Sequence, residues 1–127
     1  VGQIFIENCL NNKKIIIQGD GKEKLDFTYI QDLIKGITKI IQNKNSINKT
    51  FNITFGNSRP INDLIKILRS YFPELKVEYQ KRDKLMPKRG TLSNKLARKT
   101  IQFKSEWHLD RGYKKYINWY KNLYFKK

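Results

Sequence analysis

The stretch from Gly19 to Asp32 constrains the fold more than any other part of the chain. It follows a β-branched run, Ile15–Ile17, which predicts a strand. Gly19-Asp20-Gly21 predicts a tight turn, because Asp-Gly accepts the positive φ angles of such turns. A short aromatic strand, Phe27–Ile30, and the start of a helix follow. The stretch therefore indicates a strand–turn–strand–helix unit.

The helix that follows this unit has a clear predicted start and one apolar face. Thr28 and Gln31 have the spacing of a capping box, and Asp32 places a carboxylate in the positively polarised first turn. Asp26 is not explained by turn chemistry. The apolar residues recur at helical spacing and predict a helix of about three turns: Ile30, Leu33, Ile34, Ile37, Ile40 and Ile41.

The rest of the chain alternates predicted strands and helices, which indicates an α/β or α+β domain. The predicted strands are Lys14–Gln18, Thr50–Phe55 and Lys76–Tyr79. The predicted helices are Val1–Leu10, one that opens at Pro60 and ends before Pro73, Ser93–Ile101, and a last helix from Leu109 with an aromatic stripe.

The formal net charge of +16 first suggests a polyanionic partner such as nucleic acid. Only six of the 27 basic residues are arginines, however, and the lysines are scattered, as on a solvated surface. We therefore predict that nucleic acid is not the partner. The densest positive segment, Lys81–Gly90, is the best candidate for binding phosphate, which arginine matches in geometry. A solvated basic loop is the competing interpretation of that segment, and the local sequence alone favours it.

Cys9 and His108 indicate packing rather than chemistry. Cys9 lies on the apolar face of the first predicted helix, and His108 stands beside Trp107 at a helix entry. One His and one Cys cannot supply a metal ligand set. A single Cys forms no internal disulfide, so the cytoplasm is the simplest compartment. No apolar run approaches the length of a membrane span and no signal-peptide pattern occurs, so we expect no membrane partner.

Four segments resemble the second half of the extended short-chain dehydrogenase/reductases, the NAD-dependent sugar-nucleotide epimerases and dehydratases. Gly19–Asp32 is similar to GDGxQxRDFxYVxD, and Phe51–Leu64 is similar to FNIGxGxxxSIxEL. Arg82–Lys88 is similar to RxGDxP, and Ser93–Tyr120 is similar to SKAxxLLGY…LEEGLxxxVxWY. Each motif is weak by itself, but four in the family's order and spacing, over nearly the whole chain, are specific.

The resemblance implies that residues 1–127 are the carboxy-terminal substrate-binding portion of a longer enzyme. The implied fold is an α/β (α+β-like) fragment with short strands and four to five helices. The chain does not begin with Met, as expected of a fragment or processed product. In the family, a nucleotide-diphosphate sugar lies between this portion and an amino-terminal Rossmann domain that holds NAD(P). We expect that domain to be absent from residues 1–127.

The resemblance also implies which residues contact the ligand. By the resemblance Arg82 would bind the pyrophosphate, and we predict Lys88 and Arg89 as helpers beside it. A second arginine of the family pattern is replaced by Leu25, and the family's Asp by Leu85. The residues that could substitute for the lost cation are Lys24, Lys84, Lys88 and Arg89, and the residues implied beside the nucleotide base are Ile16, Ile17 and Gln18.

Two absences predict that this chain alone neither binds NAD(P) nor turns over. No Tyr is followed four positions later by Lys, which is the family's catalytic pair, and Gly19-x-Gly21 lacks the third glycine of a dinucleotide fingerprint. We therefore expect no catalytic or cofactor-binding residue here. Two alternatives stay open: a small basic module that binds RNA or another polyanion, and a truncated, non-catalytic paralogue. The oligomeric state is also open, with a homodimer among the alternatives.

Overall fold

Five helices and four short strands alternate along the described chain. The computed structural model describes residues 1–87 and 89–125. The predicted α/β class is confirmed. The elements are α1 (Gly2–Leu10), β1 (Ile15–Gln18), β2 (Lys24–Leu25), α2 (Ile30–Gln42), β3 (Arg59–Pro60), α3 (Ile61–Arg69), β4 (Val77–Gln80), α4 (Lys95–Ile101) and α5 (Leu109–Tyr124). Among these described helices, none is both long and apolar enough for a bilayer crossing.

The strands form two separate pairs. β1 and β4 are parallel, with Ile15 opposite Val77 and Gln18 opposite Gln80. β2 and β3 are antiparallel and shorter, with Leu25 opposite Arg59. The predicted aromatic strand is therefore wrong in position, because the paired residues are Lys24–Leu25, which precede the aromatic residues.

The main core lies where α1, α3 and α5 meet the buried face of β1. Successive side chains point to opposite sides of a strand, so Ile15 and Ile17 are buried while Ile16 is half exposed. Cys9 belongs to this core, as predicted, and burial raises the pKa of its thiol to about 11. The helices contribute most of the remaining buried side chains: Phe5, Ile6, Leu64, Ile65, Ile67, Leu68, Leu109, Tyr113 and Ile117.

A second, smaller core lies between α2 and α4. Ala97, Ile101 and Phe103 are its buried residues, and Ile53 packs against them. α2 approaches this core through Gly36, where an added Cβ would lie 2.4 Å from the Ile53 Cγ2 atom. The absence of a side chain at position 36 thus permits the close approach of the helix.

The predicted capping box of α2 is wrong. Tyr29 occupies the N-cap position in an extended conformation and makes no side-chain cap. The Thr28 hydroxyl instead accepts a hydrogen bond from the backbone N–H of Phe55, at 3.0 Å. Asp32 does lie in the first turn, as predicted, but its buried carboxylate accepts hydrogen bonds from the backbone N–H groups of Glu106 and Trp107. Both polar groups therefore join distant segments, which local spacing cannot reveal.

The apolar face of α2 points away from both cores. The helix itself is confirmed, yet the residues it buries are Asp32 and Gly36. Five of its six large apolar side chains are 36% to 78% exposed, namely Ile30, Leu33, Ile34, Ile37 and Ile41, whereas Ile40 packs against the second core. A contiguous exposed face of this kind is unusual on a self-contained domain.

The predicted strand Thr50–Phe55 is also wrong, because the segment pairs with no strand among the described residues. Its Phe51 and Ile53 side chains are half buried against α4, and the Thr54 and Phe55 carbonyls accept hydrogen bonds from the Asn94 amide. A strand requires a neighbouring backbone, and the described chain supplies none at this position.

Replacing Asp32 with Asn should destabilise the fold. The buried carboxylate would become an amide that cannot accept both backbone hydrogen bonds with the same strength, and we expect a loss of about 2 kcal/mol. Urea unfolding measures the change. Asp83→Asn, at an exposed carboxylate, is the matched control. Equal unfolding free energies for the two variants would contradict the role assigned to Asp32.

Candidate functional site

The candidate site lies at the carboxyl ends of the parallel strands β1 and β4. Because the strands are parallel, the loops that follow them leave the same edge, and ligands commonly bind in the crevice outside such an edge. The Gly19 N–H donates to the Gln80 carbonyl at 2.8 Å, which joins the two loops at their origin.

The loop after β1 is a tight turn held by the start of α3. Gly19 and Gly21 have φ angles of 88° and 72°, as the predicted Asp-Gly turn requires. The Asn62 amide donates to the Asp20 carbonyl at 3.0 Å, and the Asn62 backbone N–H donates to the Gly21 carbonyl at 3.0 Å. An added Cβ on Gly21 would lie only 2.0 Å from the Asn62 Oδ1 atom, so glycine is required there.

Arg82, in the loop after β4, is bound to protein groups. Its Nη2 atom donates to the Glu23 carboxylate at 3.2 Å and to the Met86 and Pro87 carbonyls at 3.2 and 3.0 Å. The Arg82 side chain is 32% exposed and that of Glu23 is 10% exposed. The guanidinium thus connects the two loops and closes the loop after β4 onto itself.

A cavity of about 200 Å³ lies beside this ion pair. It brings together four of the seven residues predicted to contact the ligand: Ile16, Ile17, Gln18 and Arg89. Glu23, which was not predicted, also lines it, as does Leu25, which replaces an arginine of the family pattern. An apolar wall with a few polar groups is the usual composition of a small-molecule site.

The other three predicted residues lie elsewhere. Arg82 lines a neighbouring depression with Gly19 and Gln80, rather than the cavity itself. Lys24 is exposed on β2 and lines neither the 200 Å³ cavity nor the neighbouring depression. Lys88 lies outside the described residues. The structure therefore groups the residues predicted beside the base more closely than those predicted for the pyrophosphate.

A larger apolar hollow, of about 540 Å³, was missed by the sequence analysis. It lies where the start of α2 meets α5, and aromatic side chains form most of it. The Tyr29 and Trp107 rings stand 4.6 Å apart, and the Arg111 guanidinium lies 3.9 Å from the Trp107 ring centre. The aromatic stripe of α5 was the available signal: Tyr113 is buried in the core, but Trp119 is 56% exposed at the hollow.

Two residues considered for chemistry are structural. The Asp26 carboxylate accepts hydrogen bonds from the backbone N–H groups of Gly56 and Leu92, at 3.2 and 3.3 Å, which joins three segments. His108 is at the N-cap position of α5, and its ring packs edge-on against Phe55 at 5.0 Å between centroids. Over residues 1–87 and 89–125, no three His, Cys, Asp or Glu side chains are arranged to hold a metal ion.

Sequence comparisons relate the chain to nucleotide-sugar epimerases. Residues 2–54 match the profile of the NAD dependent epimerase/dehydratase family. The chain is 33% identical over 119 residues to the UDP-glucuronate 4-epimerase of Thermodesulfobacterium geofontis. The matched region covers 92% of this chain and 36% of that protein. It is 29% identical over 140 residues to UDP-glucuronate 4-epimerase 4 of Arabidopsis thaliana, covering 94% of this chain and 31% of that protein.

Solved structures show the same fold. The UDP-glucuronic acid 4-epimerase of Bacillus cereus, solved with UDP-glucuronic acid and NAD, is 27% identical with a TM-score of 0.86, over 96% of this chain and 40% of that one. An epimerase of Methanothermobacter thermautotrophicus is 20% identical with a TM-score of 0.91, over 98% of this chain and 38% of that one. The chain thus spans two fifths or less of the length of each of these relatives.

Arg82→Ala should loosen the loop after β4. It removes the donor to the Met86 and Pro87 carbonyls and leaves Glu23 without its cation, so we expect a loss of about 1–3 kcal/mol in unfolding free energy. Denaturant unfolding provides the measurement. Arg98→Ala, at an exposed arginine of α4, removes the same side chain without these contacts. A loss no larger than that of the Arg98 variant would show that Arg82 does not hold the two loops together.

Proposed function

Because this chain belongs to the NAD-dependent epimerase/dehydratase family of extended short-chain dehydrogenase/reductases, we propose that it is the nucleotide-sugar-binding portion of a longer enzyme. The observation that carries the proposal is the 200 Å³ cavity between β1 and the segment that follows β4. It gathers Ile16, Ile17 and Gln18, which the family pattern places beside the base, and Arg89, which we predicted as a helper at the phosphates.

The proposed ligand is a nucleotide-diphosphate sugar. The half-exposed Ile16 offers apolar surface to a base, whereas Ile17 is buried on the opposite face of β1. The Gln18 amide offers both a donor and an acceptor for the polar edge of the base. Arg89 supplies a permanent positive charge at the same cavity, suited to a phosphate oxygen. Arg82 and Lys88 stay proposed phosphate contacts. Two named relatives act on UDP-sugars, which makes a uridine diphosphate sugar the first ligand to test.

The proposed complete enzyme interconverts or dehydrates the sugar with NAD(P). In the family, the cofactor oxidises a sugar carbon by accepting a hydride, which is later returned. The residues of this chain do not fit the cofactor, because they include neither a dinucleotide fingerprint nor a Tyr-x-x-x-Lys pair. We therefore assign NAD(P) and the catalytic residues to the remainder of the enzyme. The role assigned to this chain is to hold the activated sugar, in the cytoplasm.

The proposed partner of α2 is the amino-terminal Rossmann domain of the same enzyme. The support is the exposed apolar face of α2, together with the segment Thr50–Ile53, which pairs with no strand in the described part of the chain. This chain spans only 31% and 36% of the length of the two named relatives, which leaves room for such a domain. Burying one large aliphatic side chain contributes roughly 1.5–3 kcal/mol, so several of them on one face would stabilise the two parts together.

RNA binding is the competing function, and only the net charge of +16 favours it. Its affinity would fall steeply with added salt, because bound lysines release counterions from the phosphate backbone. A titration with single-stranded and double-stranded RNA at two salt concentrations tests this alternative. Tight, steeply salt-dependent RNA binding without any uridine diphosphate binding would replace the proposed function.

Arg89→Ala should weaken the binding of uridine diphosphate. The variant removes the one arginine that lines the 200 Å³ cavity, and a charge-assisted hydrogen bond contributes about 1.5–3 kcal/mol, so we expect a loss of at least tenfold in affinity. NMR shift titration measures the dissociation constant. Arg98→Ala is the control for the change in net charge. Equal affinities of the two variants would place the phosphates elsewhere.

Ile34→Lys tests whether Ile34 lies at an interface with the proposed amino-terminal domain. In the 127-residue chain its side chain is 55% exposed, so we expect a change in unfolding free energy within about 0.5 kcal/mol. In the longer protein the same lysine would be buried at the interface and should cost several kcal/mol. Gln31→Lys adds the same charge at an exposed position of α2. A neutral effect in both proteins would show that α2 does not dock there.

A further inference from the structure

The ion pair between Glu23 and Arg82 sets how strongly the candidate site attracts an anion. We propose that Glu23 limits phosphate binding at this site by neutralising Arg82. This inference rests on the proposed function, because it concerns the same nucleotide-diphosphate site. It adds a determinant of ligand charge, at a residue to which the family pattern gave no role.

Glu23 contacts both Arg82 and the 200 Å³ cavity. The carboxylate lies 3.2 Å from the Arg82 Nη2 atom, and it also lines the cavity that contains Arg89. Only 10% of the Glu23 side chain is exposed, so water screens its charge poorly. Any phosphate that approaches Arg82 from the cavity therefore approaches a fixed negative charge as well.

The surroundings offer little compensation for Glu23, because Arg89 is the one other described basic side chain at the cavity wall. Leu25 is apolar and stands where the family pattern has an arginine. The Nη2 atom of Arg82 is further occupied by the Met86 and Pro87 carbonyls, which hold the guanidinium in its place beside Glu23. Arg89 is left as the only described basic residue that lines the cavity.

This arrangement makes the site discriminate by ligand charge. A phosphate must either displace Glu23 from Arg82 or bind through Arg89 with the repulsion of a nearby carboxylate. The neutral nucleoside experiences neither cost. We therefore infer that each added phosphate, from uridine to uridine monophosphate and uridine diphosphate, raises the affinity of the chain for the ligand. The rise is smaller than Arg82 and Arg89 would give without Glu23.

Glu23→Gln tests the proposal on the 127-residue chain. The amide keeps an oxygen that can accept from Arg82 but removes the negative charge, so binding of uridine diphosphate should tighten on the order of tenfold. Uridine binding should stay unchanged. Glu74→Gln makes the same change in net charge at an exposed residue and should leave both affinities unchanged. Isothermal titration calorimetry gives the constants, and thermal unfolding establishes that each variant is folded.

Two further variants keep the test decisive. Glu23→Ser removes the same charge with a smaller side chain and should give the same gain if the Gln variant fails to fold. The double variant Glu23→Gln with Arg82→Gln should lose the gain, because the gain requires a released Arg82.

The possible outcomes separate this inference from the proposed function. If uridine diphosphate binds the parent chain but binds the Glu23 variants equally or more weakly, the inference is wrong and the proposed function stands. A gain that persists without Arg82 also overturns it. If neither the parent nor any variant binds uridine diphosphate, the proposed function itself fails.

Discussion

The structure depends on carboxylates that accept hydrogen bonds from backbone N–H groups of distant segments. Asp32 joins the first turn of α2 to the entry of α5, and Asp26 joins the end of β2 to Gly56 and Leu92. Such bonds are directional and strong when the acceptor is ionised. They hold α2 beside α4 and α5 even though α2 directs its apolar face away from both cores.

The helix α2 exposes its apolar face because its opposite face is the one that packs against the rest of the chain. The side of α2 that meets α4 contains Gly36, so the helix packs closely there with little apolar area. Most of its large aliphatic side chains are then exposed, and Thr50–Ile53 pairs with no strand among the described residues. The proposed amino-terminal domain would cover this aliphatic face.

The sequence predicted elements whose signals are local and missed contacts that depend on distant residues. The β-branched run of β1, the helix α3 after Pro60 and the start of α5 at Leu109 have local signals, and all three elements were predicted. Thr28 satisfied the spacing of a capping box, but its hydroxyl binds Phe55 instead. Thr50–Phe55 has the composition of a strand but pairs with no strand among the residues that the structure describes. Ile16, Ile17 and Gln18 lie together because they are consecutive in β1, and Arg89 joins them from beyond β4, whereas the contacts of Glu23 could not be predicted from its neighbours in sequence.

The candidate site also shows that net charge and local charge are separate properties. The chain as a whole carries +16, which attracts anions over distances comparable to the screening length. At the cavity, however, Leu25 contributes no charge, and Glu23 neutralises Arg82 across a 3.2 Å contact. A ligand drawn by the surface lysines therefore meets a site with one available arginine. In the proposed site, selection among those ligands would come from the apolar wall and the Gln18 amide, which suit a base better than a phosphate.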